Sequence, residues 1–148
     1  MLKELITQDV IRCHAYAANW EEAVRIAGAL LVDAHKCEAS YVDAMVETVH
    51  KFGPYIVLEE GIAMPHAQSR DNVAETGISV VTLQEPVCFG HDEYDPVSVL
   101  IGFCSPSSNG HMGCLSELAQ IFDDEEIVSK LSACNDAREV KELLQAAI

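Results

Sequence analysis

The amino-acid sequence predicts an α/β fold of three layers, in which helices cover both faces of a central sheet. Segments with a helical spacing of apolar residues alternate along the chain with short apolar runs rich in β-branched residues. The 148 residues, 49% of them hydrophobic, are enough for one domain with a proper core. No linker, repeat or low-complexity segment interrupts residues 1–148, which are therefore predicted to form a single domain.

Five short apolar runs are predicted strands, because each is bounded by polar, glycine or proline residues. They cover residues 10–17, 55–58, 62–64, 77–83 and 97–104. The last run is the most apolar and is expected near the middle of the sheet. Three segments are polar or rich in turn residues and are predicted loops: residues 68–75, 84–95 and 105–110.

Helix starts are predicted where a capping side chain is followed three residues later by an acidic residue. These pairs are Asn19 with Glu22, Ser40 with Asp43, Asp123 with Glu126, and Asp136 with Glu139, and Asn109 caps one further helix. The first three paired helices are expected to end near Ala34, at Gly53-Pro54 and at Leu131. Predicted buried stripes include Tyr41, Met45, Val46 and Val49 in the second helix, and Met112, Leu115, Leu118, Ala119 and Phe122 after Asn109. Residues 2–6 are expected to form a short helical turn.

The composition excludes several classes of function. A formal net charge of -15 argues against nucleic acid and anionic membranes, which bind basic proteins, and is compatible with a basic protein partner. No apolar window is long enough to span a membrane, and the first residues do not resemble a signal peptide. The six cysteines form no C-x-x-C pair, so we interpret them as reduced thiols of a cytoplasmic protein.

The most informative stretch is residues 53–67, GPYIVLEEGIAMPHA. Its second apolar run ends at Pro65, which favours an extended conformation for Met64, and His66 follows directly. Gly61 and Pro65 are expected to shape this corner, and Met64 to lie beside the ring. A histidine held there can act as a base or nucleophile, although a histidine in an ordinary turn would look the same.

The run Gly61-Ile62-Ala63-Met64-Pro65-His66 resembles the active-site segment of enzyme IIA proteins of the bacterial sugar phosphotransferase system, fructose–mannitol superfamily. The longer form GPYIV…GIAMPHA is most similar to the ascorbate-type branch, as are two later segments, residues 86–90 and 95–97. The resemblance spans residues 1–147. It implies the same three-layer fold with a mixed sheet.

The resemblance also implies a mechanism. His66 would accept a phosphoryl group on Nε2 from the phosphohistidine of the carrier protein HPr, with its Nδ1–H held by a backbone carbonyl. It would then pass the group to a cysteine of a cognate enzyme IIB, which serves a membrane enzyme IIC. No ATP, metal or other cofactor is needed, and ascorbate is one candidate sugar. The same fold could instead serve a regulatory phosphorylatable protein.

A second histidine is expected beside the first. His111 lies just inside the helix predicted after Asn109, where free N–H groups and the positive helix end favour anions. The family places a second histidine from this region at its site, and His111 matches it, so it would stabilise the phosphoryl group. Considered without the resemblance, His111 is more simply interpreted as a polar first-turn residue facing water.

One family feature is missing. The fructose and mannitol branches carry an arginine on the helix before the signature, whereas residues 46–51 here contain none. Arg70, four residues after His66, could supply the positive charge, with Lys51 and His50 as weaker candidates. For each of them a solvated surface charge is the simpler interpretation.

A zinc site is the rival hypothesis. Cys88 with His91, and His111 with Cys114, are pairs at a spacing that can ligate zinc tetrahedrally. The glycine-bounded loop and the helix start need not meet, however, and structural zinc sites usually contain more cysteine. We therefore predict no bound metal.

Overall fold

The computed structural model describes residues 2–148, with the backbone alone described for residues 108–112. Within this part the strands form one sheet: β1 (Ile11–Ala15), β2 (Val57–Glu59), β3 (Ile62–Ala63), β4 (Gly77–Val87) and β5 (Val97–Cys104). Their order across the sheet is β1-β4-β5-β3-β2. β1 is parallel to β4 and β3 is parallel to β5, whereas the β4–β5 and β2–β3 pairs are antiparallel. The sheet is therefore mixed, and β5 lies at its centre as predicted.

Helices lie on both faces of the sheet: α1 (Leu2–Leu5), α2 (Trp20–Asp33), α3 (Ala39–Phe52), α4 (Ser108–Phe122), α5 (Ile127–Ala133) and α6 (Ala137–Ala146). Side chains along a strand point alternately to its two faces. In β4, Val81 and Leu83 belong to a core cluster shared with α2 and α3, whereas Ile78 and Val80 belong to one shared with α1 and α4–α6. The predicted three-layer α/β fold is confirmed.

The sequence located several helix ends correctly. Asn19 Oδ1 accepts a hydrogen bond from the Glu22 N–H at 2.9 Å, and Asp136 Oδ1 accepts one from the Glu139 N–H at 2.9 Å. Gly53 ends α3 with a φ of 83°, a conformation that favours glycine. No helix in the described part of the chain is long and apolar enough to cross a membrane.

Other helix starts were wrong. α3 begins at Ala39, one residue before the predicted cap, and Ser40 Oγ instead accepts a hydrogen bond from Asn72 Nδ2 at 3.2 Å. α4 begins at Ser108, so the backbone of Asn109 already lies inside the helix. α5 begins at Ile127 rather than directly after the predicted cap Asp123, and a turn lies between them. In each case the predicted residue is of a type that can cap a helix, but the helix begins at a different residue.

The buried stripe of α4 also differs from the prediction. Leu118 is buried as expected, but its buried companions are Cys114 and Ile121, whereas Ala119 is exposed. Predicted Leu115 and Phe122 are only partly buried, and the side chain of Met112 lies outside the described part. The helix therefore presents a face rotated slightly from the predicted one.

Two strands differ from their predicted extents. The buried strand expected over 55–58 is the short edge strand β2, which leaves Tyr55 42% and Leu58 37% exposed. β4 continues to Val87, into the predicted loop over 84–95, and Val87 pairs with Val97 of β5. Pairing of β4 with β1 stops at Leu83, so the end of β4 has one strand neighbour. Because that end is an edge, it tolerates polar residues and Pro86.

Candidate active site at the end of β3

The sheet places His66 at the end of an extended segment that is held on both sides. The N–H of Met64 donates to the carbonyl of Ile56 at 2.8 Å, and the N–H of Phe103 donates to the carbonyl of Pro65 at 3.0 Å. Pro65 has a fixed φ and no N–H, so it continues the extended direction without an unsatisfied donor. The backbone that carries His66 is therefore fastened to the edge segment before β2 and to the end of β5.

The imidazole ring itself has a defined orientation. Nδ1 of His66 lies 2.7 Å from the carbonyl oxygen of Met64. Because a carbonyl oxygen can only accept, this contact places the proton on Nδ1 and, in the neutral ring, the lone pair on Nε2. The ring is half-buried and meets Tyr55 edge-on, with 5.5 Å between ring centroids. Nε2 is thus the nitrogen of the neutral ring that could act as a nucleophile.

Gly61 turns the chain between β2 and β3 with a φ of 80°. Its N–H donates to the carbonyl of Tyr94 at 3.0 Å. Its carbonyl accepts from the N–H groups of Ser98 and Val99, at 2.9 and 3.1 Å. The hairpin that leads to His66 is thereby tied to the start of β5.

Tyr41 on α3 is a site residue that the sequence analysis assigned only to a buried helical stripe. Its side chain is 1% exposed, and its hydroxyl lies 3.0 Å from the carbonyl of Phe103. The same hydroxyl accepts a hydrogen bond from the N–H of Ala67 at 3.0 Å and lies 3.1 Å from the Ala67 carbonyl. A buried tyrosine usually needs a partner for its hydroxyl, and that was the available signal. The partners could not be identified from the sequence.

His66 opens onto a cleft of about 1000 Å³ between α3 and the loops that follow His66 and β5. Its lining on α3 includes Asp43, Glu47 and Lys51, and the loop after His66 contributes Arg70. Among the described lining residues there are therefore two acidic and two basic side chains in addition to the histidine. It is far larger than one phosphoryl group, so it can admit part of a protein surface.

The second predicted histidine, His111, lies outside the residues whose side chains are described. Its backbone is the fourth residue of α4, which begins at Ser108. Residues 105–107, immediately before that start, line the cleft of His66. The positive end of a 15-residue helix is therefore next to the cleft, where it favours an anion.

The three candidate cations have different positions. Arg70 and Lys51 both line the cleft. The Arg70 backbone N–H donates to Asn72 Oδ1 at 3.0 Å, and Lys51 Nζ lies 5.3 Å from the centre of the Phe52 ring. His50 does not line the cleft; its Nε2 lies 3.2 Å from a carboxylate oxygen of Glu21. Arg70 and Lys51 remain candidates for contacting a phosphoryl group.

Two residues of the zinc hypothesis, Cys88 and Cys114, lie in different parts of the fold. Cys88 is exposed in the segment between β4 and β5, whereas Cys114 is buried in the core cluster on the α4 face. Nδ1 of His91 accepts hydrogen bonds from the N–H groups of Glu93 and Tyr94, both at 3.1 Å. No group of three or more His, Cys, Asp or Glu side chains among the described residues is arranged to hold a metal ion. The metal content itself stays a prediction.

Comparison with known proteins identifies this arrangement. Residues 4–147 match the family model of the phosphoenolpyruvate-dependent sugar phosphotransferase system, EIIA 2. The ascorbate-specific PTS system EIIA component of Escherichia coli K12 is 41% identical over 135 residues, which are 90% of this chain and 88% of that protein. The corresponding component of Salmonella choleraesuis is 39% identical, covering 95% of this chain and 92% of that protein.

A solved structure has the same fold. Enzyme IIA of the mannitol system of Escherichia coli, in its complex with phosphorylated enzyme IIB, superimposes with a TM-score of 0.83. It is 33% identical, and the match covers 95% of this chain and 96% of that one. The sequence signature, the fold and these relatives agree: the chain belongs to the EIIA type 2 family of the phosphoenolpyruvate-dependent sugar phosphotransferase system and is a phosphotransferase component of such a system.

Proposed function

We propose that His66 carries the phosphoryl group, accepting it on Nε2 from phospho-HPr and passing it to a cysteine of a cognate enzyme IIB. The observation that carries this proposal is the 2.7 Å contact between Nδ1 of His66 and the Met64 carbonyl, which leaves the lone pair on Nε2. Support also comes from the extended segment that holds the ring and from the cleft in front of it.

Both transfers are displacements at phosphorus. In the first, the Nε2 lone pair forms the new N–P bond while the N–P bond to the donor histidine breaks and that nitrogen recovers its electron pair. In the second, a thiolate forms the S–P bond and the N–P bond to His66 breaks. Neither step requires a proton on Nε2, so a ring with its proton held on Nδ1 suits both. Because the reacting atoms must be positioned in line, a fastened histidine is an advantage.

His111 and Arg70 complete the proposed site. His111, at the start of α4, donates a hydrogen bond to the phosphoryl oxygens, where the helix end adds a favourable field. Arg70, which lines the cleft, supplies the positive charge that another branch of the family draws from a helix arginine. Gly61 and Pro65 hold the hairpin and the extended segment without contacting the group.

The proposed partners follow from the relatives. The mannitol relative was solved in complex with phosphorylated enzyme IIB, and the relatives at 39% and 41% identity are named ascorbate-specific. We therefore place this chain in an ascorbate-type system with HPr, a cognate enzyme IIB and a membrane enzyme IIC. Its place of action is the cytoplasm, in keeping with six free thiols.

The test is reconstitution with phosphoenolpyruvate, enzyme I and HPr, followed by intact-mass measurement. The wild type should gain one acid-labile phosphoryl group, and His66→Ala should gain none. His50→Ala is the matched control, because it removes an exposed histidine of α3 that does not line the cleft and should leave phosphorylation unchanged. Phosphate on His66→Ala would overturn the assignment.

The proposed ascorbate-type branch is tested by the second transfer, from His66 to enzyme IIB. The phosphorylated protein is mixed separately with the enzyme IIB of an ascorbate system and that of a mannitol system. Faster transfer to the ascorbate-type IIB is expected. Equal or preferred transfer to the mannitol type would refute the proposed branch while leaving His66 as the carrier.

A further inference from the structure

We propose that Tyr41 is a positioning residue of the transfer site: its hydroxyl holds the backbone directly after His66 in place, and phosphoryl transfer slows when that hydroxyl is lost. This inference rests on the proposed role of His66. It concerns a buried residue beside the cleft whose effect we attribute to the chain that carries the imidazole ring.

The contacts show a single hydroxyl joining three parts of the fold. Tyr41 lies on α3, Ala67 follows His66, and Phe103 is near the end of β5. The Tyr41 oxygen accepts from the Ala67 N–H at 3.0 Å, and its one proton is shared between the carbonyls of Phe103 at 3.0 Å and Ala67 at 3.1 Å. A phenylalanine at this position would fill the same space and form none of these hydrogen bonds.

The Tyr41 hydroxyl completes a series of hydrogen bonds that hold residues 64–67 in place. The Met64 N–H and the Pro65 carbonyl are held by neighbouring backbone groups, and His66 Nδ1 is held by Met64. Beyond the histidine the chain leaves the sheet, and the Ala67 N–H is held by a side chain, that of Tyr41. Tyr41 therefore fixes the peptide group on the far side of His66, where the sheet no longer does so.

The same end of α3 also fastens the rest of the loop after His66. The N–H of Glu38 donates to the Asn72 carbonyl at 2.9 Å, and Ser40 Oγ accepts from Asn72 Nδ2 at 3.2 Å. Glu38 and Ser40 are both exposed, whereas the hydrogen bond of the Tyr41 hydroxyl to the Phe103 carbonyl is buried. Burial raises the pKa of Tyr41, so the hydroxyl keeps its proton throughout the working pH range.

Such a contact affects the rate through geometry. In-line transfer needs the attacking nitrogen within a few tenths of an ångström of its productive position, and a displacement of 1 Å can cost about 10²-fold. Tyr41→Phe should therefore lower the limiting rate of single-turnover transfer from phospho-HPr by roughly 10- to 100-fold. The HPr concentration at half-saturation should stay within about twofold, since the docking surface is unchanged.

A matched control separates positioning from stability. Thr82 is also fully buried, and its hydroxyl accepts a hydrogen bond from the His14 N–H at 2.9 Å, away from the cleft. Thr82→Val removes that bond and should lower the melting temperature without slowing transfer. Tyr41→Phe should slow transfer at temperatures where both variants remain folded.

Two results would overturn the inference. One is a Tyr41→Phe transfer rate within twofold of the wild type, and the other is an equal slowing in Thr82→Val. If the wild type itself accepts no phosphate on His66, the proposed function fails instead, so the two failures are distinguishable.

A measurement on the unmodified protein covers the case in which Tyr41→Phe does not fold. The Ala67 amide should exchange with deuterium at least 10-fold more slowly than the amide of exposed Gln68, the next residue in the same loop. Equal exchange at the two amides would show that the Tyr41 hydroxyl does not hold the segment.

Discussion

Replacing Gly61 by alanine tests whether the hairpin before His66 depends on a glycine. Gly61 has a φ of 80°, and a left-handed conformation costs a non-glycine residue about 1–2 kcal/mol. Alanine also restricts the unfolded chain, which offsets about 0.4–1 kcal/mol of this cost. The conformational effect alone is therefore a destabilisation of roughly 0–1.6 kcal/mol.

Packing adds a second contribution. A Cβ at position 61 would lie 3.3 and 3.4 Å from the two methyl groups of Val128 on α5. Val128 is β-branched and stiff in a helix, so moving its side chain off its rotamer should cost about 0.5–1.5 kcal/mol. The free energy of unfolding of Gly61→Ala should fall by about 0.5–3 kcal/mol in total, which lowers the melting temperature by roughly 1–12 °C.

Gly90 provides the matched control. Its φ is 93°, and nothing lies within 4 Å of the Cβ that alanine would add. Urea unfolding of both variants should show Gly61→Ala about 0.5–1.5 kcal/mol less stable than Gly90→Ala. This excess should disappear when both are made in a Val128→Ala background, which removes the two methyl groups. The reasoning is refuted if the two glycine variants are equally stable, or if the excess persists without Val128.

The remaining predictions concern the second histidine and the metal. In single-turnover experiments, His111→Ala should still accept phosphate but transfer it to enzyme IIB about 10²–10³-fold more slowly than the wild type, and the rate of His111→Gln should fall between the two. Wild-type transfer rates in both variants would make His111 a bystander. Protein purified without a histidine tag should contain well under one equivalent of zinc by elemental analysis, and stoichiometric zinc lost in a Cys88→Ser, Cys114→Ser double mutant would contradict this.

The sequence predicted the corner that carries His66 because the signals for it are local. Proline, glycine and histidine within six residues constrain one another, so the corner at residues 61–66 could be predicted from the chain alone. The resemblance further implied a backbone carbonyl as the partner of His66 Nδ1. The structure identifies it as the carbonyl of Met64, only two residues away.

The sequence did not locate what depends on distant contacts. Tyr41 is separated by 26 residues from Ala67 and by 62 from Phe103, and in a helical stripe it is indistinguishable from a core aromatic. Tyr55 and Leu58 were predicted to be buried because apolar runs do not reveal whether a strand lies at an edge. The side-chain position of His111 is still untested, because it lies outside the described side chains.

The charges of the cleft suit a carrier rather than a binding site. A protein that accepts a phosphoryl group and must soon release it gains nothing from holding it equally tightly at every stage, since uniform binding does not accelerate transfer. Lys51 and Arg70 line the cleft together with Asp43 and Glu47, and Arg25 pairs with Asp43 at 2.9 Å, so the formal charges of these five side chains sum to only +1. Fixing the position of His66 through its backbone promotes transfer in both directions without trapping the group. This is why we expect loss of the Tyr41 hydroxyl, which holds that backbone, to slow transfer.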